Sequence, residues 1–393
     1  MLNQSLPFTD FYFLYFALAF VSVVFITKKL FSNVIPYKYL LALGSLVYII
    51  LLFPKPLHLS GLIVVLYFIL NALKKWYTSE NIVFPMLLIA SPMLLMKIFN
   101  VLTIQEDQKA LLNIQSIVQI AGISYLVFKV IGLYIDNRSK KEALSFIDFF
   151  NFTAFTPALL IGPIDRFQRF KNDVSVGYHN INKENILKAL DELILGLLFK
   201  FVLSAFTYKL VLAQLDPNDG VLLYHLPYMY GYLMFLFFDF AGYSLLALSF
   251  ARFIGIQLPR NFDKPFLAKN PKEFWKHWHI SLGDWLNDYF FKPLFKFFTT
   301  KKILTGPQRQ GLALFITFLL MGFWNGFELH FILSGALFGL YSVIHNAYTI
   351  QCKKKNKDII FGNLNIRVVS FISIFVLFNL VAFAIYIFSG NII

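Results

Sequence analysis

Long apolar stretches, several of them closed by a pair of basic residues, set the rhythm of this chain. The windows 11–27, 39–54, 221–238, 310–327, 329–352 and 368–393 each hold 16 or more residues without Asp, Glu, Lys or Arg. A bilayer-spanning helix needs about 20 predominantly apolar residues. The first window ends at Lys28–Lys29 and the second returns; a third span, 57–73, ends at Lys74–Lys75. Placing those lysine pairs in the cytoplasm puts the N-terminus outside. A fourth span, 82–96, carries Pro85 and Pro92 and is expected to kink. Residues 99–118 are more polar and read as interfacial, and the span 117–135 delivers the 137–142 loop inside. The segment 143–162 is apolar but holds Pro157 and Gly162, so it reads as broken or re-entrant. Spans at 193–213 and 222–250 flank Asp216-Pro-Asn-Asp-Gly220, an acidic turn placed outside. Spans at 308–325 and 329–349 bring Lys353-Lys-Lys-Asn-Lys357 back inside, and 367–389 leaves the C-terminus outside. The pattern predicts an all-α polytopic membrane protein of about ten spans with added interfacial or re-entrant helices. Residues 1–393 read as a single integral-membrane domain, with no visible repeat.

Composition agrees: 58% of residues are hydrophobic and 14% are charged, against about 45–50% and about 25% in soluble domains. This excludes a soluble enzyme, a disordered chain and a coiled coil. The 35 basic residues exceed the 21 acidic ones by 14. Because the basic residues collect in loops of one predicted side, they point to anionic lipid rather than nucleic acid. The region Arg260–Lys302 alone has nine basic and four acidic residues. The lone Cys352 rules out an intrachain disulfide framework. No positive segment precedes the first apolar run, so residues 11–27 are expected to remain as a span rather than be cleaved.

Candidate chemistry gathers in two places. Four of the seven histidines fall between 277 and 345. Read as one helix, 273–289 places Phe274, Trp278, Leu282, Trp285 and Tyr289 on one face with Trp275 beside them, and Lys276, His277, Asp284 and Asp288 on the other. Such a helix is too charged to span and lies along the membrane or the protein's floor. His279 sits at the edge of its apolar sector, either as a working imidazole or as a hydrogen-bonded core residue. His277 and His279 diverge on this helix, so no metal-binding spacing results, and no metal is expected. The second place is Leu320–Phe331, where Asn325, Gly326, Glu328 and His330 cluster between two spans; they line a cavity or form an outer loop. Lys129, Lys200 and Lys209 inside apolar runs are expected to snorkel. Asp239 cannot reach far and is expected to be paired or to face water, with Lys200 or Lys209 on the preceding span as a candidate partner.

The string Phe274-Trp-Lys-His-Trp-His-Ile-Ser-Leu282, followed by Trp285-Leu-Asn-Asp-Tyr289 and Lys292-Pro-Leu294, resembles the signature helix of the membrane-bound O-acyltransferases (MBOAT). So do Phe238–Ser244, Pro259–Phe266 and Met321-Gly-Phe-Trp-Asn-Gly326, and Gly162–Phe170 is most like the branch that carries D-alanyl groups to teichoic acid. These motifs cover about 160–340. The resemblance implies a ring of tilted spans around a central funnel or tunnel. It also implies an acyl donor held as a thioester on the phosphopantetheine of a small acidic carrier protein, a teichoic-acid hydroxyl as acceptor, and other D-alanylation membrane proteins as partners. A thioester needs little activation, whereas the hydroxyl needs an aligned base.

The family's base is the His of a Trp-His-Gly motif, and here that position is Asn325; Asn287 stands where the family usually has Arg. The catalytic candidates are therefore His279, Asn325 and His330, with Asn325 able to donate to an oxyanion but not to accept a proton. Asp239, Trp275, Trp278, Ser281, Trp285, Asp288 and Trp324 are expected to line the tunnel or support it. Arg166, Arg169, Lys264, Lys269, Lys272, Lys292 and Lys296 are expected to form a basic floor that steers the carrier. Two other readings stand beside this one: a silent relative that acts as a scaffold, and an O-acetyltransferase of exopolysaccharide or peptidoglycan.

Overall fold

In the computed structural model, residues 11–77, 79, 81–102, 120, 122–139, 144–356 and 365–391 are described. Most of the expected interfacial segment 99–118, half of the 137–142 loop, and Lys357 fall outside them. Helices account for every predicted span with described residues, and no strand occurs among those residues. Among the described residues six helices are long and apolar enough to cross a membrane, and the protein is a multi-pass membrane protein. The described residues form two compact units, one from residues up to 197 together with 242–259, the other from 198–241 and 260 onward.

The first unit begins with α1 (Phe11–Phe31), α2 (Tyr37–Leu52), α3 (Pro56–Trp76) and α4 (Val83–Val101). The lysine pairs Lys28–Lys29 and Lys74–Lys75 occupy the last turns of α1 and α3, where a cation also complements the negative end of the helix dipole. On α3 the buried residues Leu59, Ile63, Leu66, Leu70 and Leu73 recur at helical spacing, so one stripe faces the core. α5 (Ile123–Asn137) is buried nearly all round, Lys129 included. Lys129 does not snorkel as expected. It is 2% exposed, its Nζ donates to the Phe152 carbonyl at 3.4 Å and lies 5.8 Å from the centre of the Phe152 ring. A helix packed on every side leaves its side chain no route to water.

The broken segment takes the form the sequence suggests. α6 (Phe146–Thr153) stops after 8 residues, and a short 3₁₀ turn, Thr156–Ala158, starts at Pro157's ring. α7 (Phe167–Val176) then follows, burying Phe167 and Phe170. α8 (Lys183–Leu197) belongs to the first unit, and in the second a π-helical stretch, Leu198–Leu203, leads into α9 (Ser204–Leu210), so helical residues cover most of the 193–213 span. Within the first unit the Arg252 guanidinium on α10 (Leu226–Phe253) donates twice to Glu192, at 2.9 Å each.

The second unit holds α11 (Pro271–His277), α12 (Ile280–Leu286), α13 (Lys292–Thr300), α14 (Gly306–Asn325), α15 (Leu329–Lys354) and α16 (Ile366–Phe388). α14 and α15 form a close hairpin. A Cβ on Gly322 would stand 2.6 Å from the Phe331 carbonyl, and one on Gly335 2.6 Å from the Phe318 carbonyl. Only glycine lets the two backbones approach this far, as at other close helix crossings in membranes. Lys200 and Asp239 form the ion pair that the sequence offered, Nζ to Oδ1 2.5 Å, with Ser204 Oγ donating to the same oxygen at 3.4 Å. Lys200 is therefore paired rather than snorkelling, while Lys209 is exposed.

Candidate functional site

The expected continuous helix over 273–289 is broken. α11 ends at His277, α12 begins at Ile280, and Asn287–Phe291 winds on as a π-helical turn. Asn270 caps α11, its side chain accepting from the Glu273 N–H at 2.9 Å, and Pro271 takes the first helical position. At the break His279 adopts φ +46° and ψ +51°, a left-handed conformation that costs a residue with a Cβ about 1–2 kcal/mol.

The segment after α10 holds this kink in place. Phe262 pairs with Trp278 as an antiparallel bridge, and the Asp263 N–H donates to the His277 carbonyl at 3.0 Å. The Ile280 N–H donates to the Asn261 carbonyl at 2.9 Å, and Ser281 Oγ donates to Asn261 Oδ1 at 2.6 Å. Backbone groups that would have continued a helix are taken up by Asn261–Asp263 instead.

The break leaves the apolar face intact. Phe274, Trp278, Leu282, Trp285 and Tyr289 are all buried, as the periodicity predicts. What changes is His279, which turns fully inward to 5% exposure. Its ring stands edge-on to Phe240, with centroids 4.7 Å apart at 85°, and 6.0 Å from Trp324. Nε2 is buried and meets no hydrogen-bond partner among the described residues. Burial pushes the His279 pKa down to about 3, so the imidazole is neutral at physiological pH. His277 stays on the charged side, half-buried, with Nδ1 2.6 Å from the Asp263 carbonyl.

Trp324 thus brings the Trp-Asn-Gly turn beside His279. Asn325 ends α14, and its Nδ2 donates back to the Met321 carbonyl at 2.9 Å. His330 lies in the first turn of α15 with its ring 4.0 Å from that of Phe331, and Gly390 approaches it closely. It makes no ring contact with His279. Of the three catalytic candidates, His279 is approached by Trp324, the residue before Asn325, while the Asn325 amide turns back to its own helix and His330 faces the end of α16.

Trp275 packs on Phe318 and Phe338, at 5.1 and 4.9 Å between centroids, and its buried Nε1 has no partner among the described residues. Trp285 stacks near Tyr289, 5.3 Å away. Asp288 is exposed, 2.7 Å from Lys292 Nζ and 3.2 Å from Asn287 Nδ2. Of the basic residues in the second unit, Lys264, Lys269, Lys272, Lys292 and Lys296 are exposed. In the first unit the Arg169 guanidinium is taken up by Asp165 and by Asp173, the latter at 2.9 Å; Arg166, half-buried, precedes α7. Asn261 and Phe240, which shape the His279 pocket, carried no role in the sequence reading. Both lie inside quoted motifs, Pro259–Phe266 and Phe238–Ser244, and that membership was the available signal.

A helical membrane protein with a buried, neutral histidine beside a Trp-Asn-Gly turn fits a membrane acyltransferase. Residues 63–383 match the model of the membrane-bound O-acyltransferase family, and the chain belongs to that family. It is 36% identical over 296 residues to the teichoic acid D-alanyltransferase of Streptococcus thermophilus, covering 70% of this chain and 69% of that one. It is 34% identical over 281 residues to the teichoic acid D-alanyltransferase of Bacillus subtilis, covering 70% of each. The probable alginate O-acetylase of Pseudomonas syringae pv. tomato is 31% identical over 253 residues, covering 61% of this chain and 45% of that protein.

Proposed function

We propose that this protein transfers D-alanyl groups from a carrier-protein thioester to a hydroxyl of teichoic acid. The observation that carries the mechanism is the orphaned Nε2 of a buried, neutral His279 next to Trp324. The acceptor hydroxyl gives its proton to Nε2 as its oxygen attacks the thioester carbonyl. The new C–O bond forms, the C–S bond breaks, and the carrier's thiolate leaves and takes back the proton from the imidazolium. A lowered pKa makes His279 a weak base, but it keeps the ring in its accepting form, and the thioester is already an activated acyl group. Asn325 orients the acyl oxygen by hydrogen bonding; an amide has no proton-accepting role there.

The donor is a D-alanyl thioester on the phosphopantetheine arm of an acidic carrier, and that carrier docks on the exposed lysines flanking α11 and α13. Both termini lie outside, with the lysine-rich ends of α1, α3 and α15 in the cytoplasm. The likeness to the alginate O-acetylase supports a second reading, acetyl transfer to a polysaccharide.

Vesicles containing the purified chain separate these readings. D-alanyl-loaded carrier should yield D-alanyl ester on a poly(glycerol phosphate) acceptor, and the rate should fall as salt is raised. Preference for an acetyl donor would favour the second reading. Carrier binding without any ester would make the chain a scaffold.

A further inference from the structure

The first unit contains a cleft of about 620 Å³ that the acyl-transfer site does not use. It opens where α1 ends and α2 begins, and its far wall comes from α6 and α7. Three lysines line it, Lys28, Lys38 and Lys171, against one carboxylate, Asp148. Lys171 Nζ stands 3.1 Å from Asp148 and neutralises it, so the excess positive charge belongs to Lys28 and to Lys38, whose Nζ also lies 5.0 Å from the centre of the Tyr39 ring beside the cleft. Lys28 Nζ also donates to the Ile181 carbonyl, which holds it at the wall.

The cleft holds one further group that asks for a partner. Asn151, 1% exposed, donates through Nδ2 to the Lys38 carbonyl at 2.9 Å. That bond fixes the amide's orientation, and Oδ1 is left buried with no partner among the described residues. A buried acceptor without a hydrogen bond is costly. The lining, which also includes the polar side chains of Ser32, Asn33, Ser175 and His179, offers two cations and one buried acceptor still without a partner, which matches a phosphodiester that carries a hydroxyl donor. Its place in the fold selects the source. The cleft stands at the end of α1, a helix long and apolar enough to cross a membrane, beside the exposed side chains of Leu30, Phe31 and Val34; the end of a span is where headgroups lie. Acyl chains can lie along those residues while a headgroup enters the cleft.

We infer that this cleft is a binding site for the headgroup of a phosphoglycerol lipid. The phosphate sits between Lys28 and Lys38, and a glycerol hydroxyl donates to Asn151 Oδ1. The inference is independent of which acyl group the protein transfers.

Native mass spectrometry of the detergent-purified full chain tests it with three lipids: phosphatidylglycerol, phosphatidylmethanol (same charge, no hydroxyl) and phosphatidylcholine. Retention should follow that order. Each lysine near an anionic headgroup is worth about fivefold in binding, so replacing both Lys28 and Lys38 by Gln should cost about 25-fold. Lys38→Arg should retain binding, and Lys75→Gln, at an exposed lysine on α3, should leave it unchanged. An equal melting temperature for wild type and the double variant shows that the loss is not unfolding. Equal retention of phosphatidylglycerol and phosphatidylcholine would overturn the site, as would full retention in the double variant. Equal retention of phosphatidylglycerol and phosphatidylmethanol would overturn the role of Asn151. Displacement of the lipid by millimolar soluble glycerol 1-phosphate would overturn the lipid assignment in favour of a free phosphoglycerol site.

Discussion

At the scale of the residue, His279 is decided by two physical facts, a left-handed backbone and complete burial. The backbone conformation is tolerated by Asn far better than by Ala, so His279→Asn removes the imidazole without adding strain. Burial sets its titration. The unfolded chain binds a proton at the ordinary histidine pKa of about 6.5, whereas the folded chain resists it until about 3. The unfolded state therefore binds more protons between those values, and stability falls as pH drops through that window. In histidine-labelled protein, the His279 ring should stay neutral at pH 5 by NMR, and acidification should lower the melting temperature of wild type more than that of His279→Asn. A ring that titrates near 6.5 would contradict the burial described. Asn325 is the converse case: its identity was plain in the sequence, but its bond to the Met321 carbonyl was not.

At the scale of the element, hydrophobic periodicity predicted which side chains of 273–289 are buried and missed that the helix is interrupted. Phe274, Trp278, Leu282, Trp285 and Tyr289 are buried as their spacing implies. The break depends on Asn261 and Phe262, which lie more than ten residues upstream and act through backbone hydrogen bonds that no local pattern encodes. Lys129 went wrong for a related reason, because snorkelling depends on what surrounds a helix, and α5 is enclosed. The Lys200–Asp239 pair was partly legible, since a carboxylate in an apolar run has to find a cation or water, and only packing decided for Lys200. Its loss is measurable. Asp239→Ala leaves Lys200, whose side chain is 6% exposed, without its counter-ion and should cost about 3 kcal/mol. Lys200→Met combined with Asp239→Leu should recover most of that in thermal unfolding. A double variant no more stable than Asp239→Ala would show that the pair is not what holds these helices.

At the scale of the whole molecule, the excess of 14 positive charges divides among several tasks. Some lysines close the ends of spans, Lys129 and Lys200 are buried, Arg169 is held by two carboxylates, and a set from Lys264 to Lys296 remains on the surface. Composition alone could identify a membrane protein but not this division, which follows from tertiary packing. The topology proposed from the charges is open to direct test. With Cys352 replaced by Ser, single cysteines at Asp219 and Lys302 should behave oppositely toward a membrane-impermeant maleimide on intact cells. Asp219→Cys should label and Lys302→Cys should not. The reverse pattern would invert the protein in the membrane and with it the side proposed for carrier docking.

In the proposed mechanism His279 takes the proton from the acceptor hydroxyl, beside an Asn325 that cannot. The most direct test of this step is the initial rate of D-alanyl ester formation in vesicles for wild type, His279→Asn and Asn325→His. A general base contributes about 10²–10⁴-fold. His279→Asn should lose activity on that scale while keeping its melting temperature and carrier binding, and Asn325→His should transfer faster than wild type. A His279→Asn variant that transfers at the wild-type rate would contradict the account.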